Sequence, residues 1–534
     1  MAITSSQLAG QRLMLGVPGT QGLQETIQLF KDTQAAGLIV FRRNFKSAAA
    51  FKEWLAALEN GLGRRLIVAV DHEGGRVIHL WEGVTYFPDN LVLGWTGSEE
   101  YARQQGAMEA GELRQLGIDL NLAPTIDVLT ASYSPNIGIR SYGKDAELVS
   151  RLGTARIQGM QMRGLSACAK HFPGQGQSPL DAHLDLPVLP TTQQEYDALH
   201  SLPFKAAILA GVDTVMTSHP VYPELDSNKV PATFSHRIVT GLLRDALGFK
   251  GVILSDDLEM GALKNYGSIG ECAVRAITAG HDMVLICSDP RAAREAALKL
   301  TRAIEDKVIS PEFLDASGER LNTLSAKRQK RFSEMDGSLS AEGHALALKI
   351  AREGLGKSKV FRGTTATLKV CQGDERLVLY PRLSVLGERI AMEPEMENDR
   401  GFIQGILKSS GLAASVVTVA LEPDEKEQLS VLQAARNAEE TVYFCFDPHL
   451  HQGSKKLLNL LEAEAKNLKV IFLRDPFGAD LLVRKTPYLN AFGFRSVQIQ
   501  TALELLCGFE FETISPLPPP CSSGEVGRGQ EKVL

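Results

Sequence analysis

Cysteine is sparse in this chain: seven residues in 534, at Cys168, Cys272, Cys287, Cys371, Cys445, Cys507 and Cys521. Their number is odd and no Cys-x-x-Cys pair occurs, so neither a disulfide framework nor a zinc-finger pattern organises the fold. Most lie in apolar runs such as Val-Leu-Ile-Cys287, which points to buried free thiols in a reducing compartment. No uninterrupted apolar run of about 18 residues is present, so no membrane span is expected. The N-terminus lacks a basic stretch followed by an apolar one and does not read as a secretory signal. An excess of positive charge is also missing. Lys plus Arg is 57 against 63 Asp plus Glu, a net charge of −6, which leaves no footprint for nucleic acid or anionic membrane. There is no HExxH, no acidic EF-hand loop, no phosphate-loop lysine and no GxGxxG behind a strand, so neither a metal nor another cofactor is expected. What remains is a cytoplasmic globular protein whose partner is a small molecule. Its oligomeric state stays open.

Eight short β-rich apolar runs occupy the first ~310 residues: Arg12–Val17, Leu38–Phe41, Leu66–Asp71, Ile118–Ala123, Ser166–His171, Val212–Ser218, Val252–Asp256 and Asp282–Cys287. Helical composition follows them, as in Ser98–Leu116, Ala146–Arg163, Gln193–Ala210 and Pro290–Ile304. The runs do not alternate polar and apolar residues, which marks parallel strands covered on both faces. Eight such units predict a (β/α)8 barrel, with a doubly wound open sheet as the alternative. The pattern breaks over Ser310–Ser340, read as the end of the barrel and a linker. A helix at Ala341–Glu353 follows. Further β-like runs at Thr367–Cys371, Leu377–Tyr380, Ser415–Ala420, Thr441–Phe446 and Lys469–Leu473 predict a second, smaller α/β domain. The expected division is a barrel over 1–335, a linker and helix over 336–360, the second domain over 361–514 and a disordered tail over 515–534.

In such a barrel chemistry sits at the C-terminal ends of the strands. Asp71 ends the third run and leads into His72-Glu73-Gly74-Gly75-Arg76. Lys170-His171 ends the fifth, with Asp181-Ala182-His183 shortly after. Ser218-His219 ends the sixth, and Ser255-Asp256-Asp257 the seventh. Any one such Asp could be a helix N-cap, and any one His could be structural. Gly74-Gly75 could be an ordinary turn or could let backbone approach a ligand closely. Several strand ends carrying Asp, Lys and His together favour a site. A carboxylate, Asp256 or Asp257, can attack an electrophilic carbon. A His with an Asp two residues away can move the proton. Asp71, Arg140, Lys170 and His171 can hold hydroxyls by charge-assisted hydrogen bonds. The peptide Phe446–His451, in the second domain, reads as a polar strand-end loop.

These residues resemble the glycoside hydrolase family 3 β-N-acetylglucosaminidases, the group that includes the bacterial enzyme of peptidoglycan recycling. Lys170-His-Phe-Pro-Gly-Gln-Gly-Gln-Ser-Pro-Leu-Asp-Ala-His183 is similar to the family's KHFPGHG segment and the Asp-Ser-His behind it. Gly251-Val-Ile-Leu-Ser-Asp-Asp-Leu-Glu-Met260 is similar to its nucleophile strand. Val70–Val77 and Asn136–Gly143 resemble its sugar-binding segments. The resemblance implies a barrel followed by an α/β sandwich domain. It implies Asp256 as nucleophile, His183 as acid/base and Asp181 as the group that orients His183. Asp71, Arg140, Lys170 and His171 fall on sugar-binding positions. His79 stands where a sugar-contacting Arg is expected, and Gln175, His72 and Ala182 stand where the family has His, Gln and Ser. The implied activity is retaining, exo-acting removal of terminal β-linked N-acetylglucosamine from peptidoglycan-derived glycosides. The alternatives are a β-glucosidase or β-xylosidase, a glycoside phosphorylase, or a non-enzymatic sugar-binding protein.

Overall fold

A computed structural model describes residues 3–131, 133–178, 180, 185–327, 338–358, 376–388, 392–409 and 413–506. Asp181, Ala182, His183, the run Thr367–Cys371 and the expected tail lie outside the described residues. The chain divides into two compact units, Met1–Ala347 and Leu348–Leu534.

The first unit is a closed barrel of eight parallel strands in sequence order. They are β1 (Leu13–Leu15), β2 (Gly37–Val40), β3 (Ile67–Val70), β4 (Leu120–Asn121), β5 (Ser166–Phe172), β6 (Thr214–Thr217), β7 (Val252–Asp257) and β8 (Met283–Ile286). Side chains alternate along a strand. One set fills the barrel interior: Met14, Ile39, Ile67, Ala69, Leu120, Leu122, Cys168, Met216, Val252, Leu254, Met283 and Leu285. The other set faces the surrounding helices, so neither face is wet and the strands read as unbroken apolar runs. Continuing the interior series by two residues places Asp71 above Ala69 and Lys170 above Cys168, at the barrel mouth.

The stretch read as a break contains a helix, Pro311–Ala326. Ser310 caps it through the Phe313 N–H, and Pro311 takes the first turn, where no N–H is needed. Leu321 and Leu324 enter the barrel core. Arg320 donates to Asp282 and Arg12 Nη2 donates to the Leu314 carbonyl at 2.8 Å, so this helix covers the strands' N-terminal end.

The second unit is a five-stranded parallel sheet in the order β10-β9-β11-β12-β13. Its strands are β9 (Arg376–Pro381), β10 (Ser415–Val419), β11 (Glu440–Phe446), β12 (Leu468–Leu473) and β13 (Tyr488–Asn490). Val442, Phe444, Ile471 and Leu473 build one apolar layer. Tyr443, Cys445, Val470 and Phe472 build the other, an α/β sandwich with two cores. The expected helix at Ala341–Glu353 lies within Ser338–Ser358.

Candidate active site

Lys170 stands at the centre of the barrel mouth, 2 % exposed, and a buried ammonium needs counter-charges. It has two: Asp71 Oδ1 at 2.5 Å and Glu73 Oε1 at 2.6 Å. Arg140, on a single turn Gly138–Arg140, grips Glu73 with both arms, Nε at 2.8 Å and Nη2 at 2.7 Å. Its Nη1 donates to the Asn136 carbonyl at 2.7 Å. His171 follows on β5; its Nδ1 lies 2.8 Å from Asp127 Oδ2 and its Nε2 3.5 Å from Arg140 Nη2. Burial by itself would raise the Glu73 carboxyl, but Arg140 and Lys170 outweigh it and hold the group well below the usual carboxylate range. Burial opposes the Lys170 charge too. There Asp71 and Glu73 more than restore it. The result is a hydrogen-bonded rack in which Asp71 is the more exposed of the two carboxyl groups on Lys170.

A second layer holds the rack in place. Arg156, fully buried, donates to the Glu73 carbonyl at 2.7 Å and to Glu109 at 2.6 Å. Asn90 Nδ2 donates to the Arg140 carbonyl at 2.7 Å. Asn121 exchanges two hydrogen bonds with the His72 backbone, at 2.8 and 3.0 Å, tying the loop after β3 to β4. Asp127 Oδ1 accepts from the Gln175 N–H at 2.7 Å.

On β7 the register against β8 shifts between Leu254 and Asp257, a bulge of the kind that re-aims side chains at barrel rims. Ser255 Oγ replaces the lost ladder partner by accepting from the Leu285 N–H at 3.1 Å. Asp256, within the shifted stretch, is partly exposed, and its Oδ1 accepts from the Asp257 N–H at 2.8 Å. Burial raises the Asp257 carboxyl to about 7, although the Glu259 N–H lowers it; the Glu259 and Asp256 charges push it further up. Burial first, then the Asp257 charge, keeps the neighbouring Cys287 a thiol.

The barrel therefore brings Asp71, Arg140, Lys170, His171 and Asp256 to one rim. His79 stands beside them, its ring edge-on to Phe41 at 5.1 Å, its pKa lowered by burial. Asp181 and His183 lie outside the described residues. Gly74-Gly75 is a turn: the Glu73 N–H donates to the Val77 carbonyl at 2.9 Å, and Gly75 has φ +53°. A Cβ on Gly75 would fall 2.1 Å from Asp89 Cγ, so the close approach there is to Asp89. Sequence reasoning missed Glu73 and Asp127 as site residues. Both follow a strand end and could have been found by reading one turn further into each loop.

One cluster of metal-ligand type occurs among the described residues, Asp447, His449 and Asp475 in the second unit. Arg474 already lies on both carboxylates, with Nη2 3.6 Å from Asp475 Oδ2, so a guanidinium is the cation there.

Carboxylates at the end of β7 and a rack of Asp, Lys and Arg at the mouth of a (β/α)8 barrel fit a glycoside hydrolase. Residues 9–324 match the glycosyl hydrolase family 3 N terminal domain, and the chain belongs to that family. It is 37% identical over 294 residues to a beta-hexosaminidase of Thiobacillus denitrificans, covering 54% of this chain and 81% of that one. It is 40% identical over 274 residues to a beta-hexosaminidase of Neisseria meningitidis, covering 50% and 75%. Among solved structures it is similar to a glycoside hydrolase family 3 beta-N-acetylglucosaminidase from Paenibacillus sp. str. FPU-7. The TM-score there is 0.86 at 31% identity, covering 95% of this chain and 97% of that one. No helix of the described residues is long and apolar enough to cross a membrane.

Proposed function

We propose that this glycoside hydrolase is a retaining, exo-acting β-N-acetylglucosaminidase working through a covalent ester on Asp256. The observation that supports the reading is the bulged end of β7, where one Asp256 oxygen accepts from the Asp257 N–H at the same end of the barrel as the Lys170 rack. The rack binds the sugar hydroxyls through charge-assisted hydrogen bonds from Lys170, Arg140 and His171 and to Asp71. In the first step an Asp256 oxygen attacks C1, the bond from C1 to the leaving oxygen breaks, and His183 gives its proton to that oxygen. In the second step His183 takes a proton from water, whose oxygen attacks C1 and releases Asp256, so the β configuration is kept. Asp181 orients the imidazole. The beta-hexosaminidase names of the Thiobacillus and Neisseria relatives support a hexosamine, and the name of the Paenibacillus enzyme supports N-acetylglucosamine as that sugar. Peptidoglycan-derived glycosides are the proposed source and the cytoplasm the proposed compartment, in keeping with four buried free thiols, Cys168, Cys272, Cys287 and Cys445.

The test is a panel of nitrophenyl glycosides followed by NMR of the first-formed product. Turnover of the N-acetyl-β-glucosaminide above the β-glucoside and β-xyloside, with β-N-acetylglucosamine appearing first, is expected. In about 10 mM phosphate, low enough to limit screening, the free sugar remains the main product. Sugar 1-phosphate as the main product overturns the hydrolytic reading.

A further inference from the structure

His219 follows β6 and is 1 % exposed, yet no step of the proposed reaction uses it. Its ring bridges two elements. Nε2 lies 2.9 Å from the Asp257 carbonyl oxygen, and Nδ1 lies 2.6 Å from Thr233 Oγ1. A carbonyl oxygen only accepts, so Nε2 carries a proton and donates it. Thr233 Oγ1 also lies 3.0 Å from the Ser218 carbonyl, which anchors this side of the ring to the end of β6 itself.

The peptide that His219 holds is clamped from the other side too. Its carbonyl belongs to Asp257 and its N–H to Leu258, and that N–H donates to the Leu285 carbonyl of β8 at 3.0 Å. The group is thus fixed between β6 and β8 at the point where β7 has bulged out of register. One residue earlier, the Asp257 N–H fixes Asp256 Oδ1 at 2.8 Å. Asp257 links the clamped peptide to the amide that aims the nucleophile. A bulge without such a clamp has one unpaired residue and freedom to turn.

We propose that His219 is a positioning residue for the Asp256 carboxylate, acting through the Asp257 backbone; this rests on the reading of Asp256 as nucleophile. A carboxylate must meet C1 in line, and a misplacement near 1 Å costs about 100-fold in rate. The effect belongs to kcat, because both ring nitrogens of His219 are engaged by protein groups, Thr233 Oγ1 and the Asp257 carbonyl.

The experiment compares His219→Asn and His219→Gln in the full chain, with 4-nitrophenyl N-acetyl-β-glucosaminide as the probe. The Gln side-chain amide reaches the place of Nε2 and keeps a donor for the carbonyl, while the shorter Asn amide does not. His219→Asn is expected to lower kcat about 10- to 100-fold with little change in KM, and His219→Gln to regain most of it. Equal kcat in His219→Asn and the parent, a loss in KM alone, or equal loss in both variants overturns the proposal. Asp256→Ala is measured alongside. If it is inactive and azide restores turnover to the α-glycosyl azide, the nucleophile stands, and a failure of the His219 variants counts against positioning alone. If Asp256→Ala keeps full activity, the nucleophile reading falls and the proposal with it.

Discussion

Asp257 is the sharpest place to perturb the site without removing the proposed nucleophile. Replacing it by Asn keeps its size and keeps an oxygen for the Glu259 N–H, 3.1 Å from Oδ1, but removes the ionisable proton. In the fold this carboxyl is raised from 3.8 to about 7, by burial first and then by the nearby acidic charges. Between those two pH values the unfolded chain has lost the proton and the folded chain still holds it. The unfolded state therefore binds fewer protons, and stability from this group falls as pH rises through the window, levelling off above about 7. At about 1.4 kcal/mol per pH unit, the ceiling is roughly 4 kcal/mol. The side chain is partly in water, which lowers the working figure to about 2–3 kcal/mol. Asp257→Asn should accordingly gain on the parent as pH rises from 4 to 7 and hold a constant advantage above it. Urea unfolding of the barrel transition across that pH series measures the gap. A gap that is flat with pH, or that shrinks as pH rises, refutes the reasoning. Activity gives a second readout: Asp257→Asn should stay far more active than Asp256→Asn.

Glu73→Gln removes the anion shared by Lys170 and Arg140, leaving two buried cations with only Asp71 close to Lys170. A loss of about 3–5 kcal/mol is expected, read as a fall in the calorimetric Tm together with weaker substrate binding. His183→Ala should slow poor leaving groups far more than an activated nitrophenolate, which departs with little protonation. Asp181→Ala should act in the same direction, and a Brønsted series over substituted phenyl glycosides would expose an equal loss across the series as contrary.

The barrel was legible because its strands are covered on both faces and so stand out as apolar runs. The rule that sites sit at strand ends points to Asp71, Lys170 and the pair Asp256 and Asp257 from position alone, and only the family resemblance chooses Asp256 from that pair. The helix Pro311–Ala326 was missed although its signals are present: Ser310-Pro311 starts it and Leu314, Leu321 and Leu324 share a face. The charged run Ala326–Phe332 directly behind it has the composition of a solvated face and masks that spacing. Strand β13, three residues long, is too short to show a period. Within the site, Glu73 and Asp127 went unrecognised because their roles come from buried pairing with residues far along the chain. His219 was noticed, but its partner is a main-chain carbonyl 38 residues away, and no side-chain pattern marks a backbone acceptor.

The central claim, a glycosyl ester on Asp256, is tested most directly by trapping it. A 5-fluoro N-acetylglucosaminyl fluoride forms the ester and slows its hydrolysis, since the ring fluorine destabilises the positively charged transition state. Digestion and mass spectrometry should then place one sugar adduct on the peptide containing Leu254-Ser255-Asp256-Asp257, with fragmentation assigning it to Asp256. An adduct on Asp257 or elsewhere, or no adduct from an enzyme that turns the compound over with inversion at C1, would contradict the account.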